Sequence, residues 1–182
     1  MKSRKALIIE DEQVWSSFLH EILEEQGLLA DSATSYKQAI DRLIRESYLL
    51  ATLDINLEGR PRNRDGLRLL KFLHLAQSDW ESVPQEALAE LAEGLGTPDS
   101  GVPAGKSELL DVFERAGALN RDLRVIVIRG QSSLGRQSVK EIVQQNYPSV
   151  PIFSKDDFEQ EEEEFIDMVA SIAAQQNTSI SL

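Results

Sequence analysis

The chain contains no cysteine, which removes disulfide frameworks and thiol chemistry and fits a reducing compartment such as the cytoplasm. Positive charge is also scarce. Lys and Arg number 19 against 31 Asp and Glu, a net charge of -12, so nucleic acid or an anionic membrane would repel the chain at long range. No apolar run spans a bilayer: the first one, behind the basic start Met1-Lys2-Ser3-Arg4-Lys5, stops at Glu10, too soon even for a signal peptide. The only histidines, His20 and His74, lie far apart with neither metal-ligand spacing nor a nucleophile beside them. There is no Gly-rich phosphate loop, no dinucleotide fingerprint, no Gly-x-Ser-x-Gly elbow and no internal repeat. These absences predict a cytoplasmic protein that touches neither nucleic acid nor membrane directly.

What is present alternates. Lys5 to Glu10, Leu28 to Asp31, Leu49 to Asp54, Leu123 to Ile128 and Val150 to Ser154 read as short apolar strands. Between and after them lie amphipathic segments. Gln13 to Gln26 places Val14, Phe18 and Ile22 on one face and ends at Gly27, Ser35 is positioned to cap the next helix, and Gly66, Arg136 and Phe158 open three more. Such β-α alternation predicts an α/β fold: a doubly wound, five-stranded parallel sheet with helices on both faces. The span from about Gln77 to Asn120 breaks the rhythm and reads as an insertion, with helical spacing in Gln85 to Gly94 and Ser107 to Ala116. The expected layout is a single domain over 1–175, interrupted at about 77–120, with a flexible tail at 176–182.

Acidic residues close two of these strands. Glu10 and Asp11 follow Ala6-Leu7-Ile8-Ile9, and Asp54 follows Leu49-Leu50-Ala51-Thr52-Leu53. In open α/β sheets the carboxyl ends of the strands are where ligands bind. Three carboxylates crowded there repel one another unless a cation joins them, and hard oxygen donors favour an ion of the magnesium type.

These segments resemble the receiver domain of response regulators. The likeness is carried by Ala6-Leu7-Ile8-Ile9-Glu10-Asp11-Glu12, Leu53-Asp54-Ile55-Asn56-Leu57, Asp65-Gly66 and Phe153-Ser154-Lys155, in that order. It implies a receiver or flavodoxin-like fold, phosphorylation of Asp54, and Mg2+ held by Glu10, Asp11, Asp54 and the backbone carbonyl of Asn56. Lys155 would supply a second positive charge to the transferred group. The implied partners are a sensor kinase or another phosphodonor and a downstream protein, with a homodimer also open. The chain is then a phosphoacceptor rather than an enzyme.

Three departures qualify the resemblance. Where receivers carry a Ser or Thr after the fourth strand, this chain has Arg129, which can bind a phosphoryl group bidentately or pair with unmodified Asp54. Ser132 or Ser133 could serve as the hydroxyl if the strand end bulges. Lys155 is followed by Asp156 instead of the family's proline, which leaves its aim open, and Arg60, Arg62 and Arg64 stud a lengthened loop beside the site. A phosphorylation-independent pseudo-receiver adaptor is the alternative reading. A more distant one is a toprim-like magnesium-dependent nuclease, disfavoured because Asn56 stands where that chemistry wants a second Asp. Gln144, Tyr147 and Phe153 fall where a receiver meets partners, although a buried core Phe explains Phe153 more economically. Trp80 is a candidate binding residue within the insertion.

Overall fold

The computed structural model describes residues 4–57, 65–78, 106–130, 133–134 and 137–175. Its centre is a five-stranded, all-parallel sheet in the order β2-β1-β3-β4-β7. The strands are β1 (Lys5–Ile9), β2 (Leu29–Ala33), β3 (Leu50–Asp54), β4 (Arg124–Arg129) and β7 (Ile152–Ser154). The helices are α1 (Gln13–Glu25), α2 (Tyr36–Leu43), α3 (Asp65–Gln77), α4 (Lys106–Asn120), α5 (Val139–Asn146) and α6 (Phe158–Gln175). The expected doubly wound fold is the one observed.

Burial explains the strand sequences. Every residue of β3 is buried, because it lies between β1 and β4 with helices on both faces, so Leu-Ala-Thr-Leu-Asp reads as a nearly unbroken apolar run. The edge strand β2 is buried only at Ala33 and tolerates Asp31 and Ser32. Two apolar layers result. Leu7, Ile9, Ala51, Leu53 and Val127 face α2, α3, α4 and α5, while Ala6, Ile8, Leu50, Ile126 and Ile128 face α1 and α6. Ser35 does cap α2, accepting a hydrogen bond from the Gln38 N–H.

The structure departs from the expected elements in two places. Val14, expected on the buried face of α1, is 80% exposed; Ile22 lies in the core as expected, together with Ser16, Leu19 and Leu23. A small antiparallel pair, β5 (Ser133–Leu134) with β6 (Gln137–Ser138), precedes α5 where continuous helix was expected from Arg136. That helix starts later because Ser138 caps it in a reciprocal box with Glu141.

The later part of the interruption belongs to the core. Helix α4 overlaps the helical spacing read at Ser107 to Ala116 and buries Val112, Phe113 and Ala116. Phe113 lies against Phe72 of α3 with ring centroids 4.6 Å apart, and a Cβ at Gly117 would come within 2.1 Å of the Ala76 carbonyl oxygen. The expected helix at Gln85 to Gly94, Trp80 and the tail at 176–182 lie outside the described residues. No helix among the described residues is long and apolar enough to cross a membrane.

Candidate functional site

Parallel pairing brings residues distant in sequence to one edge. Asp54 is the last residue of β3 and pairs in register with Ile128 of β4. Glu10 is the first residue beyond β1, its N–H donating to the Ala33 carbonyl at 3.0 Å. Lys155 follows β7, whose Ser154 pairs with Arg129, and its N–H donates to the Arg129 carbonyl at 2.7 Å. All three side chains therefore leave the carboxyl ends of the strands.

They meet at one ammonium. Lys155 Nζ donates to Glu10 Oε1 at 2.9 Å, Glu12 Oε1 at 2.9 Å and Asp54 Oδ2 at 2.7 Å. The other Asp54 oxygen, Oδ1, accepts the Asn56 N–H at 2.9 Å, which fixes the carboxylate plane. Glu10 Oε1 also accepts the Glu12 N–H at 3.1 Å, while its Oε2, although 2.9 Å from Nζ, has no well-directed hydrogen bond. The Glu10, Asp54 and Lys155 side chains are only 1%, 3% and 6% exposed, whereas Glu12 is 60% exposed.

The charges do not balance. Single carboxylate oxygens of Glu10, Glu12 and Asp54 all lie within 4.8 Å of one another, a separation at which two unit charges repel by about 3 kcal/mol at an effective dielectric constant near 20. Burial, and then the Asp54 charge, push Glu10 up to about 7 in spite of the lysine. Burial also weakens the Lys155 ammonium, but the Asp54 charge and hydrogen bonds to Asp54, Glu10 and Glu12 outweigh it and hold the lysine above its ordinary value. A site with spare negative charge and an undersatisfied buried oxygen has room for a hard cation.

The surroundings fix the approach to Asp54. A Cβ at Gly66 would fall 2.4 Å from the Asp54 carbonyl oxygen, so only glycine lets the start of α3 close against β3. Trp15 places its ring centroid 5.5 Å from Lys155 Nζ and packs edge-on against Phe18 and Phe158. The described residues contain no cis peptide, so Lys155 reaches Asp54 through trans backbone despite Asp156. Arg129 makes no ion pair among the described residues, with Asp54 or any other carboxylate, and its buried Nε lacks a hydrogen-bond partner.

Residues 6–84 match the model of the response regulator receiver domain. Over this stretch the chain is similar to a receiver domain. The matched stretch runs from β1 past α3, and β4, α5, β7 and α6 complete a fold of the receiver type. Among solved structures, a sensor protein from Polaromonas superposes with a TM-score of 0.53 at 18% identity, covering 94% of this chain and 96% of that one. The receiver domain of a Francisella response regulator gives 0.52 at 15% identity, with 94% and 98% covered. The signal receiver domain of a Vibrio parahaemolyticus repressor gives 0.50 at 10% identity, with 98% of each chain covered. At these identities the likeness speaks for the fold. A comparison with curated proteins finds no match.

Of the site residues expected from sequence, Glu10, Asp54 and Lys155 are brought together, and Asn56 stands beside Asp54 through its N–H. Asp11 is half-buried and lies outside the group of converging carboxylates; Glu12 is in it instead. Sequence reading missed Glu12, and the available signal was an acidic residue at the start of α1 where a short capping side chain is usual. Phe153 is 3% exposed and packs edge-on against Phe165, as a core residue does. Tyr147 is half-buried against His74, and Gln144 is exposed. Arg60, Arg62, Arg64 and Ser132 lie outside the described residues, as does the side chain of Ser133.

Proposed function

We propose that this receiver domain accepts a phosphoryl group on Asp54, with Mg2+ at the neighbouring carboxylates, and passes the change to a protein partner. The supporting observation is the triple engagement of Lys155 with Asp54 Oδ2 at 2.7 Å and with Glu10 and Glu12. Asp54 Oδ1 is already held by the Asn56 N–H, so Oδ2 is the oxygen free to attack once the lysine shifts toward the incoming group. That oxygen forms a bond to phosphorus as the bond from phosphorus to the donor's leaving oxygen breaks, with no net redox change.

The donor set fits a hard divalent ion: the buried carboxylates of Glu10 and Asp54 share a single ammonium, and Glu10 Oε2 is undersatisfied. Glu10 and Asp54 would hold it, with Asp11 and the Asn56 carbonyl as the further ligands that the family resemblance implies. When bound it would offset the negative charge of both acceptor and phosphoryl oxygens. Lys155 supplies the matching charge from the carboxyl end of β7. Arg129, at the end of β4 and without an ionic partner among the described residues, is the group available to bind the phosphoryl oxygens where receivers use a hydroxyl.

Arg129 is also what favours the second reading, a phosphorylation-independent adaptor, because it removes that hydroxyl. The absence of an Arg129–Asp54 ion pair among the described residues favours the first. Mass spectrometry after incubation with acetyl phosphate and magnesium separates the two. The expected result is one added phosphoryl group on the wild type and none on Asp54→Asn. Absence of any added mass, together with no beryllofluoride-induced spectral shift, leaves the adaptor reading.

A further inference from the structure

An ammonium group has three N–H donors, and on Lys155 they go to Glu10, Glu12 and Asp54. A phosphoryl oxygen arriving on Asp54 therefore finds no free donor on the lysine. One carboxylate must let go. Glu10 and Asp54 are 1% and 3% exposed, and a buried carboxylate deprived of its cation is left uncompensated. Glu12 is 60% exposed, so water replaces the lysine at little cost.

A second observation concerns the same residue. Glu12 occupies the N-cap of α1 in an extended conformation (φ -80°, ψ 112°), yet its side chain makes no capping bond. Ser, Thr, Asp or Asn at this position would bind the free N–H groups of the first turn. Here the cap is forgone and the longer side chain reaches Lys155.

We propose that Glu12 is a displaceable latch. It holds Lys155 in the resting site and exchanges for a phosphoryl oxygen when Asp54 is modified, so the anion must compete with an internal carboxylate for the lysine. Glu12 is thus a positioning residue acting through Lys155, and the proposal rests on Asp54 being the acceptor.

Trp15 reports on the exchange, since its ring lies 5.5 Å from Nζ and the chain has only two tryptophans. In a Trp80→Phe background, Glu12→Gln and Glu12→Ser would be titrated first with magnesium alone and then with beryllofluoride at fixed magnesium, following Trp15 emission. The serine variant restores a cap, which guards against a result due to loss of folding. Releasing an exposed ion pair predicts beryllofluoride affinity higher by about two- to five-fold in both variants, with magnesium affinity unchanged. Unchanged beryllofluoride affinity overturns the latch, and so does a marked loss of magnesium affinity, which would make Glu12 a cation ligand. If the parent itself does not respond to beryllofluoride, the acceptor reading falls and the latch with it; a responding parent with no gain in the variants removes the latch alone.

Discussion

Asn120 offers the sharpest test of how the chain is held together. It is 3% exposed at the end of α4, and its Oδ1 accepts the Tyr48 N–H at 2.9 Å. Its Nδ2 donates to the carbonyls of Leu43 at 2.8 Å, Glu46 at 3.2 Å and Ala116 at 3.2 Å. One side chain thereby satisfies the end of α2, the connection into β3 and its own helix. Asn120→Ala strands the Tyr48 N–H and the Leu43 carbonyl in the interior, at about 1–3 kcal/mol for each buried group left unpaired. Alanine's better helix propensity returns only about 0.6 kcal/mol, so a net loss of roughly 1.5–5 kcal/mol is expected. For a domain of this size that is a fall in Tm on the order of 10 °C, measurable by circular dichroism. Asn120→Asp should be worse at neutral pH, because it keeps the acceptor for Tyr48 but turns a second oxygen toward three carbonyls. Burial raises the folded-state pKa of that new carboxyl, so its penalty should shrink as pH falls through the raised value and the proton supplies a donor. An alanine variant within about 0.5 kcal/mol of wild type, the level of an ordinary surface substitution, would refute this account of Asn120.

Further outcomes follow from close contacts and buried charge. Gly117→Ala should destabilise by about 1–3 kcal/mol although Ala favours helix by about 1, because its Cβ would meet the rigid Ala76 carbonyl; a stabilised variant in urea unfolding would contradict the observed α3–α4 contact. Gly66→Ala should cost a similar amount and also slow Asp54 modification, checked by acetyl phosphate labelling, since its Cβ would push on the Asp54–Ile55 backbone. Glu10 sits at about 7 against 4.5 when unperturbed. Its contribution is therefore fully present below the unfolded value and lost as pH rises through about 7, so Glu10→Gln should gain stability relative to wild type over that window in melts at stepped pH. Lys155→Met should cost about 3–5 kcal/mol at pH 8, because Glu10 and Asp54 lose their buried cation, and the deficit should narrow in acid; equal melting of variant and wild type at both pH values would contradict the ion cluster.

The parallel sheet was legible because β1 and β3 are buried on both faces and must be apolar along their length, as Ala6-Leu7-Ile8-Ile9 and Leu50-Ala51-Thr52-Leu53 are. Strand-end carboxylates stood out against those runs for the same reason. Less legible was the rotation of α1: Val14 has the spacing of a core residue, but the buried stripe of the helix runs through Ser16, Leu19, Ile22 and Leu23 and leaves Val14 80% exposed. The pair β5 and β6 has two residues per strand, too few for any periodicity. Glu12 went unread because its role depends on a lysine far along the chain, and Arg129 because its identity at the end of β4 does not reveal whether it pairs with Asp54.

The interruption between α3 and β4 is bounded by rigid joints, and this decides how its role can be tested. At one end Gln77 donates to the carbonyls of Asn120 and Leu123. At the other, α4 contributes Val112, Phe113 and Ala116 to the layer that covers β3 and β4. Removing all of 77–120 would delete three buried side chains and the Asn120 clasp together, and the resulting loss of partner binding would report unfolding. Shortening only within 79–105 leaves both joints and the carboxylate site in place. If a partner is lost on that change while melting and beryllofluoride response persist, the interruption carries the binding face. If the partner is retained, the face lies on the surface of the described residues, where Tyr147 and Gln144 remain accessible.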